Sequence, residues 1–391
     1  MKNVAVIAEY NPFHRGHQAQ LERIEGLLPG AGRLVVMGGD FLQRGEPALV
    51  DKYRRAQMAL AGGADLVLEL PPAYATASAE GFARGAVGMI QAAGCAQVLA
   101  FGAEDPDLEK LSDLAQALES AQQDPCLPEL MKAGYSYPGA LAAAAERIFP
   151  GAADLLARPN NMLAVEYIKA IRWLDAPLEP LALPRHGADH NEAVLSTAQA
   201  PSGLALRRAL QAGASPGELA DYLPPESIKQ LEYAIFPEDL SPLIAARLLE
   251  AEKAGEAAFQ AGADHSRDLV NRLREQSPYL QDFPGLAEAV STRSLTRARV
   301  RRYLLHLLLG ISREDQQAPP RSLKILGLKT ASFLPGELKK QASLPLITKA
   351  ADADPALLVP YALAHHLYAQ LVYFKSGRRL PDEYHQSPRL V

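Results

Sequence analysis

Val4-Ala5-Val6-Ile7-Ala8-Glu9-Tyr10-Asn11-Pro12-Phe13-His14-Arg15-Gly16-His17-Gln18-Ala19-Gln20 is the most informative run in this 391-residue chain. Val4–Ala8 is continuously apolar and rich in Val and Ile, as in a strand buried on both faces. From His17 onward the apolar residues Ala19, Leu21, Ile24, Leu27 and Leu28 recur at helical spacing. The segment between them therefore lies at the carboxyl end of a strand, where open α/β sheets bind ligands. Gly16 lacks a Cβ, so backbone there can approach a nucleotide closely. A helix starting near His17 offers unpaired N–H groups and partial positive charge to phosphates. His14 and His17 can donate hydrogen bonds to phosphate oxygens and stabilise charge that builds during transfer. The alternatives are two surface histidines at a helix start, or a zinc pair for which no nearby Cys or acidic residue completes the ligand set.

Working outward, Arg33–Gly38, Ala64–Leu70 and Ala96–Phe101 read as further strands, Ala64–Leu70 being stopped by Pro71-Pro72. Asp51 is a candidate N-cap for a helix through Ala61, and Ser78 for the helix after the prolines. Apolar strands separated by helices predict a Rossmann-like α/β unit with a parallel sheet covered on both faces. From about Pro216 strand-like runs nearly vanish, and Ala, Leu, Arg and Glu dominate. The division expected is 1–215, a nucleotide-binding α/β domain, and 216–391, a mainly α-helical C-terminal domain. Within the latter, Leu323–Leu328 reads as a strand or turn, and the polar tail after Arg378 as loosely held.

Composition bounds the function. Apolar residues make up 48% and charged residues 22%, which excludes global disorder. With 40 Lys+Arg against 45 Asp+Glu the formal charge is −5, so a chain that coats nucleic acid by bulk positive charge is excluded and any such site must be a local patch. Cys95 and Cys126 cannot supply a disulfide framework or a four-thiolate zinc site, which fits a reducing compartment. The N-terminus reaches Glu9 too soon for a secretory apolar core, and the greasiest later run, Tyr303 to Ile311, is far short of a bilayer span. A soluble cytoplasmic protein is expected. No P-loop occurs, and Gly30-Ala31-Gly32 precedes a strand rather than following one, so a dinucleotide fingerprint is unsupported. His186 and His190 are four apart, but Pro184 and Gly187 make a helical metal pair doubtful. No metal site is assigned.

The H-x-G-H after a first strand is the mark of the nucleotidyltransferase superfamily that forms adenylates and releases pyrophosphate. The fuller stretch Ala8–His17 resembles one branch of it, the bacterial tRNA(Met) cytidine acetate ligases. Gly39–Ala48 (GDFLQRGEPA), Gly63–Pro71 (GADLVLELP), Phe101–Glu104 (FGAE) and Arg158–Leu163 (RPNNML) are similar to segments of that branch, as is the basic run Thr296–His306. The resemblance covers most of the chain. It implies two steps: acetate attacks the α-phosphate of ATP to give acetyl-adenylate and pyrophosphate, and N4 of the wobble cytidine of elongator tRNA(Met) then takes the acetyl group, forming N4-acetylcytidine. It implies an ATP pocket built from Ile7 to Gln20, Gly102, Asn160, Asn161, Arg185 and His186, with Mg²⁺ expected on the triphosphate.

The residues themselves leave alternatives open. Gly102 could let a nucleoside lie against backbone or be a turn glycine. Asn160-Asn161 could donate to a ribose or base, or cap a helix. Arg185 could clamp phosphates or be a solvated arginine. Asp40, Gln43, Arg44 and Glu46 follow the second strand and face the same crevice, suited to positioning acetate or the cytidine; Arg44–Glu46 could equally be a surface ion pair. Arg293, Arg297, Arg299, Arg301 and Arg302 crowd one predicted helix, with Arg297 and Arg301 on one face, and suit RNA phosphates or a solvated face. The chain departs from the family pattern at Ser202–Arg207, where Gly203 and Leu204 replace a small polar pair, at His186, where an aliphatic residue is commoner, and at Gly39-Asp40. Two rival readings remain: a metabolite adenylyltransferase, and a nucleotide-responsive RNA-binding protein without catalysis. No protein partner and no membrane are implied.

Overall fold

The computed structural model describes residues 2–185, 202–276 and 282–391. The apolar runs become strands β1 (Val4–Ala8), β2 (Arg33–Gly38), β3 (Leu66–Leu70), β4 (Val98–Ala103) and β5 (Glu179–Pro184). All five run parallel, in the order β3–β2–β1–β4–β5. Val4 pairs with Arg33 on one side and Val98 on the other, so the strand order reverses at β1. That reversal creates a crevice at the carboxyl ends of β1 and β4, where an α/β sheet takes its ligand. Alternate strand residues enter different cores: Val4, Val6, Val35 and Val67 on one face, Ala5, Leu34, Val36 and Leu68 on the other.

The helices follow their caps. The first helix, α1 (Arg15–Leu27), begins two residues before the sequence pattern places it, because His14 is its N-cap. Asp51 caps α2 (Lys52–Ala61), accepting from the N–H of Tyr53 at 2.9 Å and of Arg54 at 3.1 Å. Ser78 caps α3 (Ala79–Ala93), and α4 (Pro159–Trp173) starts with proline at its first turn. Helix α5 is Gly203–Gln211, α6 is Arg297–Leu309 and α7 is Pro355–Ser376.

The second half is mostly helical, yet it returns to the sheet. Strand β6 (Leu323–Leu328) lies antiparallel to β3, and β7 (Leu346–Ile347) and β8 (Arg389–Leu390) pair in parallel with β6. Phe259, Phe283, Tyr303 and Tyr368 join the core beneath Val4 and Val35. The tail after Arg378 is held, contrary to its polar composition, because Glu383 is fully buried among cations of the fold. Lys52 Nζ lies 2.8 Å from Glu69, 3.1 Å from Glu383 and 3.8 Å from Asp40, and Lys324 pairs with Glu69 at 2.8 Å and with Glu383. His365 Nδ1 completes the cluster, 2.9 Å from Asp40. A buried charge persists only when paired, and here the partners come from α2, β3, β6, α7 and the tail.

One glycine ties the two halves at close range. The loop after β2 folds into a small hairpin, Phe41–Leu42 against Glu46–Pro47, with Gly45 at φ 73° in its turn. A Cβ on Gly45 would stand 2.5 Å from the backbone nitrogen of Arg302, so the loop presses directly on α6.

Candidate functional site

The segment joining β1 to α1 is fixed by buried polar contacts. Tyr10 takes a left-handed backbone (φ 49°) and the Asn11–Pro12 peptide is cis. Asn11 Oδ1 accepts the N–H of Leu49 at 2.7 Å. The fully buried guanidinium of Arg55 donates to the carbonyls of Glu9 at 2.7 Å, Gly38 at 2.9 Å, Val50 at 3.1 Å and Gly39. One cation thus holds the carboxyl ends of β1 and β2 in register, and burial depresses its pKa despite the nearby carboxylates.

His14 and His17 form a reciprocal cap. The N–H of Gly16 donates to His14 Nδ1 at 3.1 Å, and the N–H of His14 donates to His17 Nδ1 at 3.2 Å. Their rings stack with centroids 3.7 Å apart. A neutral imidazole whose Nδ1 accepts carries its proton on Nε2, so the cap sets both rings as Nε2–H donors. Tyr10 packs edge-on against Phe13 and 4.8 Å from His17, its hydroxyl buried and its pKa raised by that burial.

These residues border a cavity of about 560 Å³ over the ends of β1 and β4. Its floor is Ile7, Ala8 and Gly102. Gly16, Ala19, Gln20 and Arg23 line it from α1; Asn160, Leu163 and Tyr167 from α4; Gly203 and Arg207 from α5. Among the described residues five arginines reach the wall (Arg15, Arg23, Arg44, Arg185 and Arg207) against one carboxylate, Glu9. The arrangement suits a ligand with several negative charges.

A model of the HIGH nucleotidyl transferase family matches residues 1–381. The tRNA(Met) cytidine acetate ligase of Lysinibacillus sphaericus (strain C3-41) is 32% identical, with 99% of each chain covered. That of Geobacillus sp. (strain WCH70) is 34% identical, with 90% of each covered. This chain belongs to the tRNA(Met) cytidine acetate ligase family. The crystal structure of Thermotoga maritima TmcAL bound with alpha-thio ATP matches over 100% of both chains, with a TM-score of 0.89 at 27% identity.

Within this cytidine acetate ligase fold, most of the residues singled out in sequence meet at one cavity and several do not. Pro12, Phe13 and Gln18 are absent from its wall: Phe13 is fully buried in the core, and Gln18 donates to Glu22 along α1 at 2.9 Å. Asn160 lines the cavity, but Asn161 is fully buried and its Oδ1 accepts the N–H of Asp105 at 3.0 Å. Glu104 caps α4 by accepting the N–H of Asn161 at 2.8 Å. Gln43 and Arg44 reach the cavity, whereas Asp40 is turned into the buried charge cluster; burial opposes its ionisation, but Lys52 and His365 hold its pKa below the usual carboxylate range. His186 lies outside the described residues.

Helix α6 begins at Arg297 after its cap Thr296, so Arg293 precedes the helix on which it was expected, and the basic run is largely engaged with its own protein. Arg301 pairs with Glu46, and Arg302 with Asp264 at 3.0 Å, both substantially buried. Arg299 donates to the carbonyl of Asp264, and Arg293 lies over the ring of Tyr135. Arg297, paired with Glu288, is 65% exposed. None of the five lines the cavity.

Arg23, Phe82, Tyr167 and Arg207 were not assigned from sequence, although helical spacing contained part of the signal. Gly16, Ala19, Gln20 and Arg23 fall at i, i+3, i+4 and i+7, one face of α1, and Asn160, Leu163 and Tyr167 share a face of α4. The degenerate segment also reaches the site. Ser202 caps α5, accepting the N–H of Ala205 at 3.1 Å, and Arg207 donates to the carbonyl of Asn11 at 2.7 Å. Burial lowers the pKa of Arg207, with Glu46 and Glu9 opposing.

Proposed function

We propose that the chain activates acetate with ATP and acetylates N4 of the wobble cytidine of elongator tRNA(Met), a reading supported by relatives named tRNA(Met) cytidine acetate ligases. The observation that carries this reading is the pair of capped histidines beside five arginines at the strand-order reversal. An acetate oxygen attacks the α-phosphorus of ATP; the bond to the bridging oxygen breaks and pyrophosphate leaves. His14 and His17 donate from Nε2 to oxygens whose charge grows in that step, and the arginines hold the phosphates, so catalysis is by positioning and electrostatics. Gln43 and Arg44, on the lip of the cavity, are suited to orient acetate or the incoming base. Mg²⁺, which commonly keeps its waters and binds through substrate phosphates with one or two carboxylates, would be carried chiefly by the triphosphate oxygens.

Pyrophosphate exchange into ATP tests the reading. Exchange that requires acetate is the expected result. Exchange that requires another acceptor would indicate a metabolite adenylyltransferase, and ATP binding without exchange a nucleotide-responsive RNA-binding protein.

For the RNA, Arg293 and Arg297 are the exposed arginines of the basic segment. Charge reversal at both, Arg293→Glu with Arg297→Glu, should weaken tRNA binding and flatten the log–log salt slope by about one to two units, with exchange retained. An unchanged salt slope would remove them from the RNA face. Arg301→Glu is a poorer probe, because it breaks the pair with Glu46. A reaction on tRNA supports a cytoplasmic protein, and no described helix is long and apolar enough to cross a membrane.

A further inference from the structure

Acetyl transfer to an amine releases a proton that the histidines and arginines described above are poorly suited to receive. His14 and His17 already accept backbone N–H groups on Nδ1, so their neutral rings hold a proton on Nε2 and are not bases there. Burial raises the pKa values of the Tyr10 and Tyr167 phenols, at Tyr167 with the charge of Glu9 adding to it, which keeps both protonated. The guanidinium groups are cations, and the amides of Asn11, Gln20, Gln43 and Asn160 do not take protons at neutral pH. Among the described residues of the cavity wall this leaves a single carboxylate.

We propose that Glu9 accepts the N4 proton of the cytidine during acetyl transfer, an assignment that rests on the ligase reading above. Glu9 is the first residue after β1, and its Oε1 accepts the N–H of Gln43 at 2.8 Å. The backbone carbonyl of the same residue is held by Arg55, so the carboxylate is positioned at both ends. Burial in the wall raises its pKa; the Gln43 N–H and the charges of Arg207, Arg44 and Arg55 oppose that rise. A carboxylate with a raised pKa is a stronger base and is better matched to proton abstraction near neutral pH.

The step balances as follows. N4 attacks the carbonyl carbon of acetyl-adenylate and a C–N bond forms. The bond from that carbon to the phosphate oxygen breaks, and AMP leaves with the electron pair. The N4 proton passes to the Glu9 carboxylate and from there to solvent. The first half-reaction has no such need, because acetate attacks as an anion and loses no proton. Glu9 should therefore separate the two halves.

The test compares full-length Glu9→Gln with the wild type in acetate-dependent pyrophosphate exchange and in single-turnover acetyl transfer to tRNA. Transfer should fall by about 10²–10⁴-fold, and exchange by far less, which also shows that the variant is folded. In the wild type, transfer should decline as pH falls through the Glu9 pKa, since the protonated acid cannot accept; that acid limb should vanish in the variant. Transfer at the wild-type rate, an equal loss in both half-reactions, or an unchanged acid limb would each overturn the assignment of Glu9 alone. A wild-type protein without acetate-dependent exchange would overturn the ligase reading itself.

Discussion

Replacing His14 and His17 together by alanine should reduce acetate-dependent pyrophosphate exchange by about 10³–10⁴-fold. Removing one preorganised donor to a developing oxyanion costs about 10²–10³ in rate, and two donors that act on the same charge do not add fully. The pair is coupled by structure as well as by function, since each ring accepts a backbone N–H belonging to the other's cap. Losing the capping side chain should lower stability by about 0.5–2 kcal/mol, so the melting temperature must be measured beside the rate. Binding of tRNA should survive, because neither histidine belongs to the exposed basic segment. Near-normal exchange in a folded double variant would exclude the histidines from the chemistry.

Lys52→Met should be the most destabilising of these changes, at about 3–5 kcal/mol, read as a lowered urea midpoint at pH 7. The cost arises because removing one partner leaves buried charge uncompensated. Lys52, Glu69, Asp40, Glu383 and His365 all have fully buried side chains, and Lys324 and His365 cannot by themselves balance three carboxylates. Burial would raise the pKa values of Asp40 and Glu383, yet the combined positive charge outweighs it, Lys52 with His365 and Arg55 at Asp40 and Lys52 with Lys324 and His365 at Glu383, so both lie below the usual carboxylate range. Their contribution is therefore present above the unfolded pKa, about 4, and is lost as pH falls through the lower folded values. Without Lys52 those folded values rise, so the stability gap between variant and wild type should narrow as pH falls towards 4. A gap that stays constant, or a loss below about 1 kcal/mol at pH 7, would show that the cluster is hydrated or rearranges.

The strands at the heart of the sheet were legible because they are buried on both faces and so read as unbroken apolar runs: Val4–Ala8, the Leu34–Met37 stretch of β2 and the Leu66–Leu68 stretch of β3. Strand β6 was legible only as a strand or turn, and Lys324 shows why the reading stopped there. A lysine in the middle of a short run suggests solvent, but this one is buried beside Glu69 and Glu383, and those partners lie far away in the chain. The same limit applies to the arginines of α6. Five positive charges on one predicted helix suggested an open basic face, whereas Arg301 and Arg302 are answered by Glu46 and Asp264, 255 and 38 residues away. The loop between β1 and α1 was the easiest part to read. Its residues are contiguous, and Gly16 at the helix start orders the α1 face that reaches Arg23. Asp40 was misplaced from sequence because position after a strand indicates the crevice but not which way a side chain turns.

The return of β6 to β3 bears on how the chain is made. About 250 residues separate Leu70 from Leu323, which at roughly 5–20 residues per second is about 10–50 s of translation. During that interval β3 is the open edge of the nascent sheet, and the face that will receive Phe283 and Tyr303 is uncovered. The edge is closed only when β6 leaves the ribosome, and β8 adds to it about 60 residues later. Glu383, which neutralises Lys52 and Lys324, also arrives after β6. Closure of the sheet that carries the cavity thus waits on residues far along the chain, and a chain cut short before β6 would present an unpaired strand edge to the cell's quality-control machinery.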